Sequence, residues 1–110
     1  MSFIYEVNLE LDIQIEEKFR QWLKPHIEEM LSFDGFLSAQ WLSRNPEDEK
    51  NEKGVVLWTV QYSLKDRASY TKYINTHAPR MRKEGLDLFG GSFQASRRLL
   101  SIHSSFHTQS

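Results

Sequence analysis

The strongest constraint on this chain is the order in which its apolar residues change period. Phe3, Tyr5, Val7 and Leu9 alternate with Ile4, Glu6, Asn8 and Glu10. That period predicts a strand from Phe3 to Leu11 with one fully apolar face and one mixed face. Ile15, Phe19, Trp22, Leu23, His26, Ile27, Met30 and Leu31 then recur at helical spacing. Asp12 offers a side-chain cap for that helix. Pro25 predicts a kink within it, because proline removes one hydrogen bond and clashes with the carbonyl of Gln21. Asp34-Gly35 ends the element. Phe36 to Arg44 reads as a second strand, and Val55 to Tyr62 as a third, covered on both faces. The residues between them, 44–54, are almost wholly charged or polar and predict a solvated, mobile connection.

Ser63-Leu64-Lys65-Asp66 reads as a capping box with Ser63 as N-cap. It opens a second helix carrying Tyr70, Tyr73, Ile74, His77 and Met81 on one face. Pro79 breaks that helix or starts a new segment. Gly90-Gly91 supplies a left-handed stop, and Phe93 to Ile102 is the fourth strand. The order is β-α-β-β-α-β. It predicts an α+β, ferredoxin-like domain over 1–102, a four-stranded antiparallel sheet with two helices on one face. Residues 103–110 are left as a polar tail. The second sheet face is then bare. Ile4, Leu37, Trp41 and parts of the third strand are expected on it, too apolar to stay wet. The expected cover is a second copy, giving a homodimer through the sheet face.

Composition narrows the chemistry. The chain has 110 residues and no cysteine. A disulfide framework, a thiolate zinc site, an iron–sulfur cluster and a cysteine nucleophile are excluded. No window approaches the ~18 apolar residues of a membrane span. The opening Met1-Ser2-Phe3-Ile4-Tyr5-Glu6 has neither the basic head nor the apolar run of a signal peptide. The expectation is a cytoplasmic protein without a membrane partner. A pI near 6.4 argues against nucleic acid as a partner, and the net charge of −1 hides an asymmetry. Residues 1–54 hold twelve acids and six bases, and residues 55–110 three acids and eight bases. Either the two halves fold against each other, or the second half builds an anion site.

The element order, the length and the bare sheet face resemble the dimeric alpha-beta barrel superfamily over nearly the whole chain. More narrowly, the sequence is similar to a small bacterial family of uncharacterised proteins within that fold. Phe3-Ile4-Tyr5-Glu6-Val7-Asn8, Trp22-Leu23-Lys24-Pro25-His26, His77-Ala78-Pro79-Arg80-Met81-Arg82 and Phe89-Gly90-Gly91-Ser92-Phe93-Gln94-Ala95-Ser96-Arg97-Arg98 carry the similarity. The superfamily includes cofactor-free quinol oxygenases, haem-degrading oxygenases, lactone isomerases and stress-responsive proteins. Its enzymes hold their ligand between sheet and helices. Fold alone does not pass an activity on. The haem-degrading members use a first-strand asparagine and a tryptophan and histidine on the second helix. Here Val7 takes the asparagine's place, the second helix has no tryptophan, and His77 is a loose counterpart, which disfavours haem degradation.

The candidate ligand-binding residues are His77, Arg80, Tyr73, Tyr5, His26 and Trp22. His77 precedes a helix break and is the candidate base; its plainer alternative is a capping or core histidine. Arg80 follows near a helix start, where a guanidinium favours a carboxylate or phosphate, although arginines are equally at home on solvated faces. His26 lies on the first helix's apolar stripe, as many satisfied core histidines do. Trp22, Tyr5 and Tyr73 are pocket walls or simple core. Arg97 and Arg98 point to opposite faces of the fourth strand, and at least one is expected to pair with Glu6 or Glu10. No cofactor is implied, and no metal. His103 and His107 lack a third ligand, and the acids of 47–52 lack the pattern of a calcium loop. No phosphate-binding glycine loop or nucleophile elbow is present. Three readings remain: a homodimer binding a small anionic or aromatic molecule, a cofactor-independent monooxygenase- or isomerase-like enzyme, and a structural dimer with a filled interior.

Overall fold

Strand β1 (Phe3–Asp12) is central because it offers apolar side chains on one face and hydrogen-bonding ones on the other. The computed structural model describes residues 2–49 and 54–108. β1 pairs antiparallel with β3 (Val55–Leu64), Tyr5 opposite Tyr62, and with β4 (Phe93–Ser101), Tyr5 opposite Leu99. β2 (Phe36–Arg44) pairs antiparallel with β3, completing the order β2-β3-β1-β4. This is the split β-α-β arrangement of a ferredoxin-like domain. Helices α1 (Glu16–Met30), α2 (Arg67–Thr76) and α3 (Ala78–Phe89) cover the face that carries Tyr5, Leu9 and Leu11. The extents of 39 × 38 × 20 Å describe a slab one sheet and one helix layer thick, with the other sheet face open. Among the described residues no helix is long and apolar enough to cross a membrane.

Local signals explain most boundaries. Asp12 caps a short 3-10 turn, Ile13–Ile15, by accepting from the Gln14 amide at 2.9 Å, and α1 follows with Pro25 inside it. The N-cap sits three residues later than the expected capping box, at Asp66 rather than Ser63. β3 continues to Leu64, and Asp66 is the N-cap, accepting from the Ser69 amide at 2.8 Å and its hydroxyl at 2.6 Å. The second helical stretch is two helices. His77 ends α2 by donating its amide to the Tyr73 carbonyl and begins α3 by accepting from the Met81 amide. Pro79 lies in the first turn of α3, where its missing N–H costs nothing. Gly90, at φ 52°, stops α3. Residues 50–53 of the expected mobile connection lie outside the described residues.

One face assignment is corrected. Trp41 lies on the helix side: it pairs with Val60 and packs edge-on against Trp58 with centroids 4.8 Å apart. A bulge between Phe36 and Ser38 shifts the strand by one residue. Phe36, Ala39 and Trp41 thereby reach the core together, although their spacing breaks the period of two. The open face is therefore less apolar than expected. It carries Ile4 opposite Leu100, but its centre is polar. Glu6 is only 5% exposed there. It accepts from Arg98 Nε at 2.6 Å, Gln61 Nε2 at 2.9 Å and Asn8 Nδ2 at 3.0 Å, while Thr59 Oγ1 donates to Asn8 Oδ1 at 2.7 Å. The Arg98 hydrogen bond, chief among these, holds the Glu6 carboxyl down at about 2. The acidic and basic halves do fold against each other, through Arg98–Glu6, Arg80–Glu29 and Lys72–Asp34.

Candidate functional site

Between the sheet and the helices lies a partly open cavity of about 50 Å³. Its floor is made of Tyr5, Val7 and Leu9 from β1 and Val60 and Tyr62 from β3, because alternate strand residues share one face. Phe19, Trp22, Leu23, His26 and Met30 enter from α1, at the spacing that puts them on one helical face. Tyr73 comes from α2, and Met81, Arg82 and Gly85 from α3. Phe93 and Arg97 come from β4. Arg97 lies opposite Val7 and so points toward the helices, while its neighbour Arg98 serves the open face.

Of the six candidate ligand-binding residues, Tyr5, Tyr73, His26 and Trp22 come together in this cavity. His77 and Arg80 do not. His77 is the junction of α2 and α3, and its ring stacks on Phe33 at 3.9 Å with the planes 3° apart. Arg80 lies on the surface, donating to Glu29 Oε2 at 2.6 Å and Glu84 Oε1 at 2.8 Å, which ties α3 to α1. The reason is helical phase. With Ala78, Met81 and Gly85 buried, Arg82 falls on the inward stripe and Arg80 on the outward side. Arg82 and Arg97 are thus the charged residues the sequence reading missed as cavity residues. The signal was available for Arg82 once α3 is counted from Ala78 as a helix of its own.

The polar chemistry converges on Arg82. Its Nη2 donates to the Tyr5 hydroxyl at 3.1 Å. The Tyr5 ring in turn packs against Tyr70 at 5.5 Å and Tyr73 at 5.7 Å. Burial pushes the Tyr62 and Tyr73 phenols up, so both stay protonated donors. Burial lowers His26 below its ordinary 6.5, against the pull of Glu84 and Glu29, so the imidazole is neutral at pH 7. Its ring packs against Trp22 with centroids 4.4 Å apart and the planes tilted by 33°, one helical turn away. Among the described residues, three buried side-chain polar atoms have no hydrogen-bond partner: His26 Nδ1, Arg82 Nε and Arg44 Nε. Two of the three belong to residues of this cavity. Leaving a buried polar group unpaired costs about 1–3 kcal/mol. Among the described residues no group of three or more histidines, aspartates or glutamates is placed to hold a metal.

Residues 2–103 match a domain of unknown function, DUF4286. The chain belongs to that family. No curated protein matches it in sequence. In fold it is similar to SnoaB, a cofactor-independent oxygenase from Streptomyces nogalater, at TM-score 0.68 and 10% identity, covering 94% of this chain and 95% of that one. It is also similar to a protein of unknown function from Nitrosomonas europaea, at 0.69 and 12%, covering 99% and 96%. A dimeric ferredoxin-like protein from an uncultured marine organism aligns at 0.64 and 19%, covering 96% and 98%. This DUF4286 domain therefore has a ferredoxin-like fold. The resemblance read from its motifs holds at the level of family and fold.

Proposed function

We propose that this DUF4286 chain binds a small anion in the cavity between sheet and helices. The observation that carries the reading is the pair of unpartnered buried atoms, His26 Nδ1 and Arg82 Nε, both on residues that line one cavity. A protein that only filled its interior would gain by pairing them or replacing them with carbon. Arg82 and Arg97 supply positive charge, and Tyr5 and Tyr73 supply hydroxyls. Isothermal titration with acetate tests this. Four heavy atoms yield at most about −6 kcal/mol, so the dissociation constant falls no lower than about 40 μM. Arg82→Gln is expected to weaken binding by about tenfold or more, the value of one charge-assisted hydrogen bond. Absence of saturable heat in the wild type removes the reading.

The chain is also proposed to act as a homodimer through its open sheet face. That face is bare in the two-layer slab and carries Ile4 and Leu100 beside the Arg98–Glu6 pair. A protein of like fold is described as dimeric. Sedimentation at micromolar concentration is expected to give twice the chain mass of 13.0 kDa. A single-chain mass would remove this part alone.

One observation favours an enzyme as the second reading. Burial keeps His26 unprotonated in the same cavity as Arg82 and Arg97. A neutral imidazole takes a proton, and guanidinium groups steady the anion left behind, as a cofactor-independent monooxygenase or isomerase requires. Such an enzyme loses turnover in His26→Asn and keeps it in His77→Asn; the reverse pattern would return the role to His77.

A further inference from the structure

The cavity holds about 50 Å³, a third of the ~150 Å³ that accommodates a benzene ring in a protein interior. The largest side chain lining it is Trp22. Its indole packs at a tilt against His26, meets Phe19 at 5.3 Å and Phe89 at 5.8 Å, and faces Gly85 across the α1–α3 contact. A Cβ on residue 85 would lie 3.0 Å from Trp22 Cη2 and 3.4 Å from Phe93 Cζ. Glycine inside a helix is unfavourable by about 1 kcal/mol relative to alanine. Here its missing side chain is the notch that receives the ring. The indole is an aromatic plane lining the same cavity as Tyr5, Tyr73, His26, Arg82 and Arg97.

Resting on the anion-site reading, we propose that Trp22, seated against Gly85, is the size filter of the cavity. The wild-type site takes a carboxylate of one or two carbons or an inorganic monoanion, and excludes aromatic acids. The ring fills the place of an aromatic ligand, and the space left beside Arg82 and Arg97 suits a carboxylate group alone. Truncating Trp22 removes a body larger than benzene and opens room for a ring while leaving both guanidinium groups in place.

The experiment is calorimetric titration of wild type, Trp22→Ala and Trp22→Leu with acetate and with benzoate, the folded state of each being checked by circular dichroism. The wild type is expected to bind acetate at least tenfold more tightly than benzoate. The variants are expected to reverse that order, with benzoate gaining at least tenfold. Trp22→Leu carries the comparison if Trp22→Ala does not fold, and the wild-type ratio decides by itself if neither does. Benzoate binding to the wild type as tightly as acetate overturns the size filter and leaves the anion site standing. Folded variants with no gain for benzoate overturn it likewise. Failure of the wild type to bind acetate overturns the anion site and the filter with it.

Discussion

Arg98 donates through Nε to Glu6 Oε2 at 2.6 Å, joining β4 to β1 on the open face of the sheet. The carboxylate is nearly sealed, 5% exposed, whereas the Arg98 side chain is 64% exposed. The folded carboxyl sits at about 2 against its ordinary 4.5. As pH falls below 4.5 the unfolded chain takes up the proton first. The stability from this group is therefore full above about 4.5 and is lost as pH falls toward 2. Glu6→Gln is expected to cost about 1–3 kcal/mol at pH 7, the exposed arginine holding the figure below the full worth of the shift. Urea unfolding at pH 7, 4 and 3 reads both effects. The variant should lose most of the wild type's decline over that acid range, and an unchanged decline would show that Glu6 is not its source.

Gly35 has φ +82°, and a Cβ placed there would lie 1.8 Å from the Ser69 hydroxyl oxygen. That hydroxyl donates to Asp66, the cap of α2. Gly35→Ala therefore strains a left-handed backbone and displaces a cap contact at once, for an expected loss of about 2–4 kcal/mol. Ser69→Ala keeps the Asp66 bond to the backbone amide and is expected to cost about 1 kcal/mol. Chemical denaturation of the two variants side by side checks the ranking; equal losses would contradict it.

Arg80 and Arg82 are two residues apart and differ in kind. Arg80→Ala removes surface ion pairs with Glu29 and Glu84, which solvent screens, and is expected to leave the unfolding midpoint nearly unchanged. Acetate affinity should stay within twofold of wild type. A tenfold loss of affinity in Arg80→Ala would mean that the α1–α3 tie shapes the cavity, contrary to its placement on the outer side of α3.

The alternation of β1, the helical stripe of α1 and the glycine stop after α3 made the element order legible, because each reports burial on one face at a fixed period. The bulge at Leu37 was not legible. Phe36 and Trp41 are five residues apart, and only tertiary packing makes both face the core. The cavity lining was legible in its aromatic half and not in its charged half. Tyr5, Tyr73, Trp22 and His26 lie on apolar stripes that must point inward. Choosing Arg80 over Arg82 followed nearness to His77 in the chain, whereas the helical phase set by Met81 and Gly85 decides which guanidinium faces the cavity. The size of the cavity depends on how one indole packs against one glycine, which no pattern of residues reports.

The anion site is tested most directly by a crystal soaked in bromide, whose anomalous scattering locates a monoanion small enough for the cavity. A bromide is predicted in contact with the Arg82 guanidinium in the wild type, and none in that cavity in Arg82→Gln. Bromide confined to the outer surface of the wild type, with the cavity free of it at saturating concentration, would contradict the account.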